Sequence, residues 1–365
     1  MSLSIGIVGL PNVGKSTLFN ALTKKSVPTE NYPFCTIDPS VGIVAVPDER
    51  LWKLSDFSKS QKTIPAAVEF VDIAGLVAGA SKGEGLGNQF LSHIRETDAI
   101  LEIVRIFEDD KIIHVHGKID PIHDISVINL ELVLADFETV TKRIQNISKE
   151  IKRGDKVALK EEFALKKILE KLETGLFARM VPLDEEELKI IKQLSLLTMK
   201  PVLYGLNKKA GGKNLDETDE IRFTELLAYL KENKAQYIII DAKIEDELKD
   251  FEGAEKETFR QELGGKDDGI NSLITASYAC LGLITFFTTG EDETRGWTIK
   301  KGSTAPIAGT AIHTDFKDKF IRAEVIFWKD LLDCGSYSKA REKGLVRTEG
   351  KEYIVKDGDV IEFKI

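Results

Sequence analysis

The sequence predicts an α/β chain: a Rossmann-like, mostly parallel sheet, an antiparallel helical hairpin inserted into it, and a small α+β domain at the C-terminal end. Three observations predict this. Short apolar runs such as Ser4-Ile5-Gly6-Ile7-Val8 and Pro201-Val202-Leu203-Tyr204-Gly205-Leu206 read as buried strands and alternate with helical patterns as far as Cys280. Apolar residues recur at spacings of three and four from Leu130 to Ile151 and again from Leu165 to Leu172. Beyond Cys280 the pattern changes to short strand-like runs around one helix.

A chain of 365 residues is too long for one ordinary domain. The expected division is residues 1–280, with the helical insertion at about 125–200, followed by residues 281–365. A composition of 42% hydrophobic and 30% charged residues belongs to a folded globular protein. No apolar run reaches the roughly 18–20 residues that span a bilayer, so no membrane association is expected. The start, Met1-Ser2-Leu3-Ser4-Ile5, has no basic segment and runs into a strand, so no signal peptide is expected. Cys35, Cys280 and Cys334 form an odd, scattered set without metal spacing, as free thiols in a reducing cytoplasm would. The net charge of −9 argues against a broadly basic nucleic-acid binder and against sequence-specific DNA as a partner. It leaves room for a local basic patch.

The first apolar strand runs into Gly9-Leu10-Pro11-Asn12-Val13-Gly14-Lys15-Ser16-Thr17 and then into a helical pattern, Leu18, Phe19, Ala21 and Leu22. This is GxxxxGK[ST] in its proper context, strand then loop then helix. The glycines let backbone N–H groups of residues 12–17 converge on phosphates at a positive helix end. Lys15 is the expected partner of the β- and γ-phosphates, and the Ser16 hydroxyl a ligand of Mg²⁺.

Three further pieces follow in the expected order. Ala66-Ala67-Val68-Glu69-Phe70-Val71 reads as a strand ending in Asp72-Ile73-Ala74-Gly75, a DxxG pattern. Asp72 is expected to hold Mg²⁺ through a water, and the Gly75 N–H to sense the γ-phosphate. Between the two motifs, Thr36 in Tyr32-Pro33-Phe34-Cys35-Thr36-Ile37 is the expected second hydroxyl for Mg²⁺. Leu76 stands where many small GTPases carry a glutamine and cannot hydrogen-bond a water. Gly79, Gly83, Gly85 and Gly87 suggest a mobile switch loop. The strand 201–206 leads to Asn207-Lys208-Lys209-Ala210, where a guanine reader has Asn-Lys-x-Asp. Ala210 offers no carboxylate to the guanine N–H donors, so the loop predicts a lost guanine preference. The run Tyr237-Ile238-Ile239-Ile240 then enters Asp241-Ala242-Lys243, a loop expected to back the base.

With these motifs the chain resembles the YchF-type, Obg-related ATPases over its whole length. The residues that carry the resemblance are Gly9 to Thr17, Tyr32 to Ile37, Asp72-Ile73-Ala74-Gly75-Leu76-Val77-Ala78-Gly79-Ala80 and Gly83-Glu84-Gly85-Leu86-Gly87-Asn88-Gln89-Phe90-Leu91. The resemblance implies a P-loop GTPase-type sheet with a coiled-coil hairpin and a ubiquitin-like TGS domain. It implies preference for ATP over GTP, slow Mg²⁺-dependent hydrolysis, and association with the ribosome or its large subunit as a translation- or stress-related switch in the cytoplasm. It suggests His114 as the group orienting the hydrolytic water, and adenine recognition through backbone groups around Asn207 and Lys208. Asn12 matches the phosphate-loop asparagine of K⁺-stimulated relatives.

A seam of Leu130, Val133, Phe137, Val140, Ile144, Ile147 and Ile151 predicts a helix from about Ser126 to Arg153, broken at Gly154-Asp155. Leu165, Ile168 and Leu172 form the answering seam of a second helix ending near Gly175. Lys142, Arg143, Lys149, Lys152, Arg153, Lys156 and Lys160 cluster toward the tip, suited to phosphates of RNA. In the C-terminal domain, strands are expected at 283–288, 295–298, 323–328 and 360–363, with one helix around Asp330–Lys343. The leading expectation is an enzymatic switch. A GTPase or dual hydrolase of the same fold, and a ribosome-binding protein with a structural nucleotide site, are the alternatives.

Overall fold

The computed structural model describes residues 3–24, 40–73, 86–109, 119–251, 253–265 and 268–365. Its first half runs Ser4–Val8 (β1), Lys15–Thr23 (α1), Val41–Ala45 (β2), Glu49–Ser58 (α2), Lys62–Ile64 (β3), Ala67–Asp72 (β4), Leu86–Glu96 (α3), Ala99–Arg105 (β5) and Phe107–Glu108 (β6). Then come Pro121–Lys152 (α4), Lys156–Glu173 (α5), Val202–Asn207 (β7), Lys213–Asn214 (β8) and Gln236–Ile240 (β9).

Six of these strands form one sheet in the order β2-β4-β1-β5-β7-β9, parallel throughout except for the antiparallel edge strand β2. Every residue of β1, β5 and β7 is buried, as central strands covered on both faces require. Parallel order brings the C-terminal ends of β1, β4, β7 and β9 to one edge, and the loops that leave them form a crevice there.

The hairpin starts earlier than its apolar seam. Asp120 accepts the His123 N–H at 3.0 Å and Pro121 fills the first turn, so α4 begins at Pro121 rather than Ser126. Val133, Val140 and Ile147 are buried in the seam, with Phe137, Ile144 and Ile151 packed beside them. Leu130 departs from it and is 54% exposed. At 18 residues, α5 is too short to answer the whole of the 32-residue α4. Gly154 (φ 83°) makes the turn, Asp155 caps α5 on Val157 N and Ala158 N, and Leu165, Ile168 and Leu172 are buried as expected. The fully buried Asp136 fixes the hairpin's base, accepting Leu197 N, Thr198 N and Thr198 Oγ1 at 2.9, 2.7 and 2.7 Å.

The second sheet contains Leu283–Thr289 (β10), Glu293–Lys300 (β11), Arg322–Phe327 (β12), Arg347–Glu349 (β13) and Asp359–Lys364 (β14). Its order is β13-β12-β14-β10-β11-β3, so a strand from the first half of the chain completes it. One face packs Phe286, Ile299, Val325 and Ile361 together. The other packs Phe287, Ile326 and Val360 against Leu51 and Leu54 of α2. The single helix expected at 330–343 is two, Trp328–Cys334 and Tyr337–Glu342. Gly335 at φ 73° ends the first, and the Ser336 hydroxyl caps the second on Lys339 N. No described helix is long and apolar enough to cross a membrane. The described cysteines, Cys280 and Cys334, are free.

One core residue is chemically out of place. Glu102, in the middle of β5, is 1% exposed, and among the described residues neither carboxyl oxygen has a hydrogen-bond partner. Burial, reinforced by the nearby Asp124, raises its pKa well above the ordinary value, so the fold favours the neutral acid. Stability is therefore undiminished below the ordinary carboxyl range, about pH 4. It declines as pH rises through that range toward the higher folded pKa, because only the unfolded chain sheds the proton freely. Glu102→Gln should flatten this dependence, raising Tm by about 2–4 °C at pH 8 and leaving it nearly unchanged at pH 4. A pH series of thermal melts checks it.

Candidate functional site

The crevice is built from the loop after β1. Gly9 lies so close to β5 that a Cβ there would sit 2.6 Å from the Ile103 carbonyl oxygen. Gly14 adopts φ 102°, and its Cβ would meet Asn207 Nδ2 at 2.3 Å. Glycine is thus required at both places by contact, and at Gly14 most plainly by backbone conformation as well. After Gly14 the chain enters α1, whose first-turn N–H groups at Lys15, Ser16 and Thr17 point out of the helix end. Asn12 and Ser16 are exposed at this mouth, Thr17 is half-buried and Val13 is buried beneath it.

Lys15 is buried, and its Nζ donates to the carbonyls of Gly9 and Leu10 at 2.9 and 2.8 Å. Burial lowers its pKa to about 8, and the opposing charge of Asp72 recovers part of the loss. Asp72, half-buried at the end of β4, is raised by burial and lowered by Lys15. Its backbone N–H donates to Ser40 O at 2.8 Å, tying it to the start of β2. The structure thus brings Lys15 and Ser16 of the phosphate loop and Asp72 of the DxxG pattern to one mouth. Hard oxygen donors from a hydroxyl and a carboxylate, in a place where burial penalises the bare carboxylate charge, fit a small divalent cation such as Mg²⁺.

Asn207 ends β7 and is 3% exposed. Its Nδ2 donates to Val13 O at 2.8 Å and its Oδ1 accepts Ala242 N at 3.0 Å, so one amide joins the phosphate loop to the loops after β7 and β9. Beyond it, Lys208 N donates to Ile240 O, Lys209 N to Asn214 Oδ1, and Ala210 N to Asp241 Oδ2 at 2.5 Å. The Lys208 ammonium faces Asp216 and Glu217 at 3.5 and 3.3 Å. The Asp241 bridge and the Asp216–Glu217 pair are contributions that sequence reasoning missed, because no local motif marks a carboxylate that acts across a fold.

Thr36, Gly75 and His114 lie outside the described residues, as do Cys35, Leu76, Gly79, Gly83 and Gly85. Gly87 falls within α3, so the switch-loop stretch expected there ends at a helix by residue 86.

A phosphate loop between a strand and a helix, facing a DxxG aspartate and backed by an asparagine loop at the edge of a parallel sheet, defines a P-loop nucleotide-binding protein of the GTPase fold. Residues 4–135 match the family model described as 50S ribosome-binding GTPase. Residues 283–365 match YchF-GTPase_C, described as a protein of unknown function. The chain is 54% identical over 364 residues to the Bacillus subtilis protein named Ribosome-binding ATPase YchF, covering 100% of this chain and 99% of that one. It is 49% identical to the protein of that name in Escherichia coli O157:H7, with the same coverage. The structure described as the Schizosaccharomyces pombe YchF GTPase superposes with a TM-score of 0.86 at 39% identity, covering 100% of this chain and 98% of that one. This chain belongs to the YchF family.

The two bonds of Asn207 predict that Asn207→Ala loosens the phosphate loop and weakens nucleotide binding about tenfold. Isothermal titration calorimetry reads the loss, and affinity unchanged within twofold would refute the bracing role.

Proposed function

We propose that this chain binds ATP with Mg²⁺ at residues 9–17, hydrolyses the γ-phosphate slowly and works as a switch on the ribosome in the cytoplasm. The observation that carries the reading is the buried Lys15 ammonium facing Asp72 beside the open end of α1. That arrangement fits a polyphosphate with a metal ion and fits little else. The names of the relatives supply the nucleotide and the ribosome.

In this reading the N–H groups of residues 12–17 cradle the phosphates and Lys15 neutralises the β- and γ-oxygens. Ser16, Thr36 and Asp72 would hold the metal, which would supply further positive charge to the phosphates. Gly75 senses the γ-phosphate, and Asn207 and Lys208 border the base. Leu76 cannot orient the attacking water, and His114 is the candidate for that role. Asn12 is the candidate ligand for a stimulating K⁺. The domains of this reading are residues 1–280, with the insertion at about 125–200, and a TGS domain at 281–365.

A second reading, a GTPase or dual hydrolase, is favoured by one observation. Ala210 leaves the base loop without its own carboxylate, while Asp241 brings one to the same backbone N–H. Competition of unlabelled ATP and GTP against a fluorescent ATP analogue, in Mg²⁺ with K⁺ or Na⁺, decides between them. Several-fold tighter ATP is expected, together with faster turnover in K⁺, and Lys15→Ala should weaken both nucleotides strongly. GTP equal or tighter would sink the ATP assignment, and equal turnover in Na⁺ would sink the K⁺ role.

The hairpin tip is the proposed ribosomal contact. Arg143 is engaged by Glu161 at 2.6 and 2.8 Å, and Lys160 is paired with Asp184 and Glu186. Lys142, Lys149, Lys152, Arg153 and Lys156 are exposed. Replacing Lys149, Lys152 and Lys156 by Glu should abolish cosedimentation with ribosomes at physiological salt and leave nucleotide affinity unchanged. Undiminished cosedimentation would move the contact elsewhere.

A further inference from the structure

Residues 49–64 belong to the first half of the chain but are built into the second sheet. β3 adds to β11 in parallel register, Lys62 beside Glu293 and Ile64 beside Arg295. Ahead of it, Gln61 N donates to Glu291 O at 2.9 Å, and Ser60 Oγ lies 2.7 Å from both Gly290 O and Thr294 Oγ1. At the other end of the segment, Arg50 Nη1 donates to Asp357 Oδ2 at 2.6 Å, with its guanidinium 5.3 Å from the centre of the Phe287 ring. Asp357 Oδ1 in turn accepts Thr285 N at 3.0 Å, so the ion pair is fastened to β10. Between these ends, the apolar side of α2 is buried in the second domain's core.

Both exits from this segment lead to the nucleotide site. Upstream is β2, and Ser40 just before it accepts the Asp72 N–H. Downstream is β4, which begins three residues after β3 and ends at Asp72 itself. The second sheet also touches this exit directly. Thr298 Oγ1 donates to Ala67 O at 3.4 Å, and Gly296 lies so close that a Cβ there would sit 3.1 Å from Ala66 N. A short extended strand paired on both sides, here with β1 and β2, cannot bend locally to absorb a shift at one end.

We propose that the second sheet seats β4, so that Arg50–Asp357 and Thr298–Ala67 position Asp72 for Mg²⁺–nucleotide. Arg50, Asp357 and Thr298 are positioning residues in this scheme; none touches the nucleotide. The proposal rests on the reading of Asp72 as a metal-side residue. By linkage, a partner whose binding shifts this seat changes Mg²⁺–nucleotide affinity by the same factor that the nucleotide changes the partner's affinity.

The test uses the full chain with Arg50→Met, Asp357→Asn, the double variant, and Thr298→Val. Nucleotide affinity is measured by calorimetry in Mg²⁺ and in EDTA, and hydrogen exchange is followed in residues 67–72. Unchanged affinity in EDTA is expected, with the Mg²⁺-dependent gain reduced about fivefold to tenfold. The double variant should be no worse than Arg50→Met, which removes the shared ion pair together with the bonds from Arg50 to Asp48. Amides of β4 should exchange faster, and Thr298→Val should move the same readouts less. Folded variants that keep the full Mg²⁺-dependent gain overturn the proposal. If the ion-pair variants do not fold, Thr298→Val decides by the same criterion. A wild-type protein without any Mg²⁺-dependent gain overturns the reading of Asp72 and the proposal with it; a gain present in wild type and retained in every variant overturns the seat alone.

Discussion

The site depends on one buried side-chain amide. Asn207 spends its donor on the phosphate loop and its acceptor on the loop after β9, and it does so from a strand end that packing has already fixed. Three chain segments far apart in sequence share one reference point in this way. Both bonds lie in a water-poor setting, where leaving either group unsatisfied is costly. Gly14 completes the arrangement twice over, since its φ of 102° suits glycine and any larger residue would displace that amide. The residues that meet the phosphates are therefore set by the core of the sheet rather than by the loop's own preferences.

The position of Lys15 shows what this rigidity does electrostatically. An ammonium buried at a helix N-terminus faces desolvation and an unfavourable dipole together. It is retained by two loop carbonyls and by Asp72 across the mouth. Such a cation is poorly compensated by the protein and gains most from an arriving polyanion, which converts structural cost into binding selectivity for phosphate.

Much of this was legible in the sequence, and the reasons differ by element. The strands β1 and β7 are continuous apolar runs because they are covered on both faces, and the phosphate motif sits where strand meets helix. The hairpin was legible from its seam, but only where a second helix answers it; Leu130 fits the spacing and not the packing. The start of α4 was missed because capping by Asp120 and Pro121, not apolar periodicity, decides it. The break at Gly335 escaped because a short helix pair and one longer helix share a similar pattern. Least legible were the contacts between halves of the chain. Nothing near Arg50 in sequence announces Asp357, and three residues such as Lys62-Thr63-Ile64 carry too little pattern to name the sheet they join.

The strand exchange between the two halves also sets an order of events during synthesis. β3 emerges early, yet the strand it pairs with follows about 230 residues later. At ribosomal speeds of about 5–20 residues per second, that is a wait of roughly 10–50 s. Throughout it, Leu51 and Leu54 of α2 have no second core to enter, and the edge of β3 is open. The nascent chain therefore carries an unfinished apolar surface beside the growing nucleotide fold, and its final assembly waits on residues 281–365.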